Sequence, residues 1–99
     1  MDKIFRAMAD KNRRKILTLL KESGELSVNQ LLKGFTISQG TLSTHLSVLR
    51  KTKLVNCRVV GKQRIYSIEK EILKSFIMEL NRFGDVSDAL SLGDVIQRR

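Results

Sequence analysis

SVNQLLKGFTISQGTLSTHLSVLRK, residues 27 to 51, reads as two helices joined by a tight turn. Ser27 with Gln30 three residues on makes a capping box, in which hydroxyl and carboxamide each satisfy a backbone N–H that a helix start leaves orphaned. The core contacts of this short helix are Val28, Leu31 and Leu32, and Gly34 then loosens the chain. After a turn of Phe35 to Ile37, Ser38 caps a longer helix that runs to about Lys51. Leu42, Leu46 and Leu49 fall on one face of it, the inner one. Two short helices about a Gly-containing turn form the helix-turn-helix shape, whose second helix reads DNA in proteins that use it so.

Upstream, Ile4, Phe5 and Met8 recur at helical spacing in a first segment that ends near Ala9. Asp10 is a good N-cap for a second helix with an Ile16, Leu17, Leu19 and Leu20 stripe, running to about Glu22 and broken by Gly24. Downstream, Leu54–Val60 and Arg64–Ile68 are rich in Val, Ile and Tyr, and Gly61, Lys62 and Gln63 between them predict the turn of a basic-tipped hairpin, or wing. From Glu69 to Phe83 the helical period returns, with Gly84 as its stop. The fold expected is mainly α (α+β): four helices, a two-stranded hairpin and a fifth helix, in a winged helix-turn-helix. One domain spans residues 1–83, and residues 84–99 form a tail, either disordered or one short helix.

Charge narrows the partners. Leu26 to Ile68 contains no Asp or Glu yet holds Lys33, Arg50, Lys51, Lys53, Arg58, Lys62 and Arg64. A polyanion penalises every carboxylate brought near it, and each cation brought to a phosphate releases counterions, so duplex binding favours such a stretch. The net charge of +9 belongs to the body: residues 1–83 carry 17 basic and 7 acidic residues, the last sixteen 2 and 3. No segment is long and apolar enough to span a bilayer and no N-terminal signal pattern appears, which predicts a cytoplasmic protein. Cys57 is the single cysteine, excluding an intrachain disulfide and a cysteine-rich metal site. No nucleophile stands with a base partner and no Gly-rich phosphate loop enters a helix, so an enzyme is not expected.

The order of elements, with Ile4 to Asp10 (IFRAMAD), Arg13 to Leu20 (RRKILTLL), Glu25 to Val28 (ELSV), Ile37 to Arg50 (ISQGTLSTHLSVLR) and Gly61 to Ile68 (GKQRIYSI), resembles the ArsR/SmtB family of winged-helix repressors over about residues 2–82. The RRKIL run and the lack of metal ligands look most like its branch of SdpR-type autorepressors. Lys11 and Asn12 stand where the family usually has Pro-Thr. Ser27 and Asn29 stand where its arsenic sensors carry cysteines, and the last helix lacks the histidines of its zinc sensors. The resemblance therefore implies DNA binding as a homodimer without a metal site or cofactor.

On the fourth helix, a 100° wheel sets Gly40, Thr44, Ser47 and Lys51 opposite the leucine stripe, flanked by Thr41 and Ser43. Such small polar side chains fit a major groove, where Gln39 can bond adenine and the Thr44 methyl can meet a thymine methyl. The resemblance points to Gln39, Ser43 and Thr44 as groove residues. His45 sits beside this face, as a polar contact at the DNA edge or a structural residue. Ser38 and Lys51 at the helix ends, and Arg58, Lys62 and Arg64 of the hairpin, are expected on the DNA backbone or in the minor groove.

Ile4, Phe5 and Met8 with Ile72, Leu73, Phe76, Ile77, Leu80 and Phe83 give the terminal helices broad apolar faces. A two-fold dimer accounts for both; the other reading closes them over the monomer's own core. Cys57 is expected as a small buried thiol in a strand. The function expected is a homodimeric repressor on a pseudo-palindromic operator, autoregulatory and not metal-sensing. Its rivals are a repressor induced through Cys57 or a dimer pocket by an inducer of unknown chemistry, and a module binding a partner protein through its terminal helices.

Overall fold

A computed structural model describes residues 1–83; the tail expected at 84–99 and the Gly84 stop lie outside the described residues. The elements are α1 (Asp2–Met8), α2 (Lys11–Ser23), β1 (Glu25–Ser27), α3 (Val28–Leu32), α4 (Gln39–Lys51), β2 (Val55–Val60), β3 (Gln63–Ile68) and α5 (Lys70–Asn81). This is the winged helix-turn-helix, with one strand more than expected.

Local chemistry sets the helix ends. The Asp10 carboxylate accepts from the backbone N–H groups of Asn12 and Arg13 at 2.8 and 3.1 Å, starting α2. Gly24, at φ 85°, ends it in a conformation that an L side chain resists. Ser27 and Gln30 close the anticipated capping box on α3, and the Ser38 hydroxyl accepts from Thr41 N–H at 3.1 Å to start α4. Between the two helices, Gly34 lies so close to α2 that an added Cβ would meet Leu19 Cδ1 at 3.1 Å. That close approach keeps the turn tight.

The sheet has the order β1-β3-β2, antiparallel throughout. β1 was not expected: the sequence announces only the Ser27 cap within Glu25–Ser27, yet Leu26 pairs with Tyr66 and Ser27 with Ile65. Three residues carry too little periodicity to announce a strand, and their partners lie far along the chain. The hairpin turn is also shorter than expected. Gln63 pairs with Val60, leaving Gly61 and Lys62 as the two turn residues, with Gly61 at φ 61° in the II′ manner.

The core joins these layers through Ile16 and Leu20 of α2, Leu31 of α3, Leu42, Leu46 and Leu49 of α4, and Leu54 and Val55 entering β2, all essentially inaccessible. Tyr66 on β3 and Phe76 on α5 complete it. α4 is thus pinned by its leucine stripe, and its opposite side is left to solvent.

Candidate nucleic-acid interface

The outward half of α4 divides into two rows. Gln39, Ser43, Ser47 and Arg50 recur at i, i+4, i+8 and i+11 and face the hairpin across a groove of about 470 Å³. Lys62, Gln63, Arg64 and Tyr66 form its other wall, and Ser27, Val28 and Asn29 at the start of α3 close one end. Its lining has three cations and no carboxylate. Gly40, Thr44 and Lys51 form the second row, about 100° further round by the 3.6-residue period, and are exposed, as is Thr41. Thr44 Oγ1 donates to the Gly40 carbonyl at 3.0 Å, which leaves its lone pairs and methyl group facing outward.

Of the residues expected in a major groove, Gln39, Gly40, Thr41, Ser43, Thr44 and Ser47 are all exposed on α4. His45 departs from them. Its side chain is 13% exposed and turned to the α1/α2 junction, with Nδ1 3.4 Å from Arg13 Nη1 and 3.9 Å from Asp10 Oδ1. Its position on the helix is on the far flank, next to the leucine stripe.

Among the expected backbone contacts, Ser38, Lys51, Lys62 and Arg64 are exposed on the α4 and hairpin-tip side. Arg58 is elsewhere. Cys57 pairs with Tyr66 on the α4 side of the sheet, so the alternation of a strand turns Arg58 to the other side. There its Nη2 lies 2.7 Å from Glu25 Oε2. The hydrogen bond and charge of Arg58 hold the Glu25 carboxyl below its ordinary range, and Glu25 in return raises the Arg58 guanidinium. The acid that pairs with Arg58 lies one residue outside the acid-free stretch, and only the β1–β3 pairing brings it there.

Asn29, Arg50, Gln63 and Tyr66 line the groove without having been anticipated as site residues. Arg50 was legible, seven residues after Ser43 on the same helix. Asn29 was not, since its place depends on how α3 docks. Burial, first, and then the neighbouring Cys57 push the Tyr66 phenol above its ordinary value, while Arg64 opposes them. Tyr66 therefore keeps its proton, as a neutral hydroxyl.

Cys57 is half-buried rather than buried. It opens onto a second cleft, of about 410 Å³, with Arg50, Lys53, Asn56, Glu69, Glu71 and Ile72. Lys53, ahead of β2, holds a left-handed φ of 66°.

The expected dimer face divides as well. Ile4 and Phe76 are buried in the single chain, and Met8, Ile72, Leu73 and Leu80 pack partly against its core. Phe5, Ile77 and Phe83 remain exposed, joined by Met1 and Met78, which were not anticipated. No helix among the described residues is long and apolar enough to cross a membrane.

Residues 10–57 match the family model described as bacterial regulatory protein, arsR family. The chain is similar to the transcriptional repressor SdpR of Bacillus subtilis (strain 168), 31% identical over 88 residues that cover 89% of this chain and 97% of SdpR. It is also similar to the transcriptional activator HlyU of Vibrio cholerae, 37% identical over 79 residues, 80% of this chain and 72% of HlyU. A crystal structure described as a "possible transcriptional regulator for arsenical resistance" superposes with a TM-score of 0.78 at 32% identity, covering 94% of this chain and 96% of that one. The recognition helix, the wing and these likenesses agree, and the chain belongs to the ArsR family of DNA-binding transcriptional regulators, which are not enzymes.

Proposed function

We propose that the chain is a homodimeric repressor that binds a pseudo-palindromic operator, including one at its own promoter, and acts by excluding polymerase. The observation that carries this reading is the carboxylate-free groove between α4 and the wing, bordered by a small, polar and exposed outer row on α4. One strand's phosphates suit Arg50, Lys62 and Arg64, while Gln39, Ser43, Thr44 and Ser47 suit base edges in the major groove. A two-fold dimer would set two such helices about 34 Å apart, one turn of duplex. Exposed Met1, Phe5, Ile77, Met78 and Phe83 support that dimer, since large apolar side chains concentrated at the two terminal helices gain by mutual burial. Metal sensing is not part of the reading. Ser27 and Asn29 are poor ligands for thiophilic metals, and the whole chain has one cysteine and one histidine.

Fluorescence-anisotropy titrations of the DNA upstream of its own gene and of a scrambled duplex of equal length, across a salt series, test this. Tight, salt-dependent preference for the upstream DNA is expected. Equal, weak binding to both would refute autoregulation, and no binding at low salt with dimerisation retained would favour a module that binds a partner protein.

A second reading, release of DNA through chemistry at Cys57, is favoured by one observation: Arg50 borders both the groove and the cleft that holds the thiol. Unchanged affinity after peroxide or dithiothreitol treatment would exclude it.

A further inference from the structure

Arg13, in the first turn of α2, uses its guanidinium on two other elements at once. Its Nε donates to the Ala7 carbonyl at 2.8 Å and its Nη2 to the Arg6 carbonyl at 3.1 Å, both at the end of α1. Its Nη1 lies 3.4 Å from Nδ1 of His45, on α4. A guanidinium has no acceptor, so the contact is a hydrogen bond only when Nδ1 of the imidazole is unprotonated and accepts. The Asp10 carboxylate, which accepts from the Arg13 backbone N–H at 3.1 Å, stands behind the pair at 3.9 Å from Nδ1.

The leucine stripe holds α4 against the core by apolar contact, which has no preferred direction. Side-chain tips end roughly 5–6 Å from a helix axis, so a rotation of roughly 10° moves each by about 1 Å. That is more than the useful distance range of a hydrogen bond to a base, about 0.5 Å. A directional contact on the flank of the helix is what resists such a rotation, and His45, adjacent to Thr44, supplies the attachment point.

We propose that Arg13 is a positioning residue for the recognition helix: through His45 it fixes the rotation of α4 relative to α1. Because α1 carries exposed Phe5, the same side chain links the rotation of the reading face to the surface assigned above to the dimer. Arg13 is a cation in a basic protein, yet Nε, Nη1 and Nη2 each direct an N–H at a protein group, which assigns it to positioning rather than to phosphate. The inference rests on the DNA-reading role of α4 proposed above.

The test begins with the duplexes that the native protein enriches from a random library. For native protein, Arg13→Gln, His45→Gln and His45→Leu, affinities are measured for an enriched duplex and a scrambled one across a salt series. His45→Gln keeps an acceptor toward Arg13 and should retain the native preference. His45→Leu keeps bulk without an acceptor, and it and Arg13→Gln should lose about tenfold or more of the preference, the scale of one mismatched base pair. Their salt slopes should stay native, whereas loss of a phosphate contact would flatten the slope by about one. A native preference in His45→Leu, or a flattened slope in Arg13→Gln, would overturn the proposal, and the histidine pair decides alone if Arg13→Gln does not fold. If the native protein enriches no sequence, the DNA-reading role itself fails and this proposal with it. That result is distinct from enrichment by the native protein that His45→Leu shares.

Discussion

Phe5 and Phe76 meet edge to face, with ring centroids 5.1 Å apart and planes at 64°. Phe76 is 7% exposed and Phe5 37%, so one ring belongs to the core and the other straddles core and surface. The contact joins the two ends of the described chain, α1 and α5, into one face. Beyond its buried area, such a pair contributes about 0.5–1.5 kcal/mol.

That division separates stability from assembly. Phe76→Ala should destabilise the fold by about 3–5 kcal/mol in urea unfolding, as for other buried aromatic truncations. Met78→Glu, at a side chain 61% exposed, should leave the secondary structure intact and convert a dimer to a monomer by sedimentation velocity. An unchanged mass would remove this face of α5 from the interface.

Thr44 is expected to read a base. Its hydroxyl proton is occupied by the Gly40 carbonyl, so its lone pairs and its methyl are what it can offer. Thr44→Ala should cost roughly 1–3 kcal/mol on the preferred duplex and little on scrambled DNA. Equal weakening on both would sink the assignment.

Two cations of the same hairpin should behave differently. Lys62, in the exposed turn, should contact phosphate, so that Lys62→Ala flattens the slope of log affinity against log salt by about one unit. Arg58, tied to Glu25 on the other side of the sheet, should leave that slope unchanged when replaced by alanine. A flattened slope for Arg58→Ala would mean that it leaves Glu25 on binding DNA.

Asp10 links stability to acid. The backbone N–H of Arg13, ahead of that of Asn12, holds its carboxyl below the ordinary value, with burial opposing and the charge of Arg13 assisting. A carboxyl whose pKa is lower in the folded state adds stability above its unfolded-state pKa and loses it as the pH falls through the folded one. Asp10→Ala should therefore cost about 1 kcal/mol at pH 7 by the loss of the cap. The difference from native should narrow on acidification below the usual carboxylate range, as followed by denaturant titrations at stepped pH. A constant difference down to the acid limit would refute this account.

Lys53 holds a left-handed φ of 66° that a side chain resists, and its backbone N–H still donates to the Arg50 carbonyl at 3.0 Å. Lys53→Gly should keep that bond and raise stability by about 0.5–1 kcal/mol, the relief of strain exceeding glycine's added freedom when unfolded. A lower denaturation midpoint would show that the lysine side chain contributes more than its backbone costs.

The sequence by itself determined the elements whose chemistry is local. The Asp10, Ser27 and Ser38 caps and the leucine stripe of α4 all depend on residues within a few positions of one another, and each is where its pattern implied. The exposed row of Gly40, Thr41 and Thr44 follows from the same period. Only the tertiary structure decided what depends on distant pairing. β1 exists because Leu26 meets Tyr66, and Arg58 is withdrawn because that pairing brings Glu25 beside it. His45 turns to Arg13 because α1 and α2 dock on the flank of α4, and Asn29 reaches the groove because α3 docks at its end. Hydrophobic periodicity says which side of an element is buried, but not against which neighbour. The neighbour decides whether a charge faces DNA or another side chain.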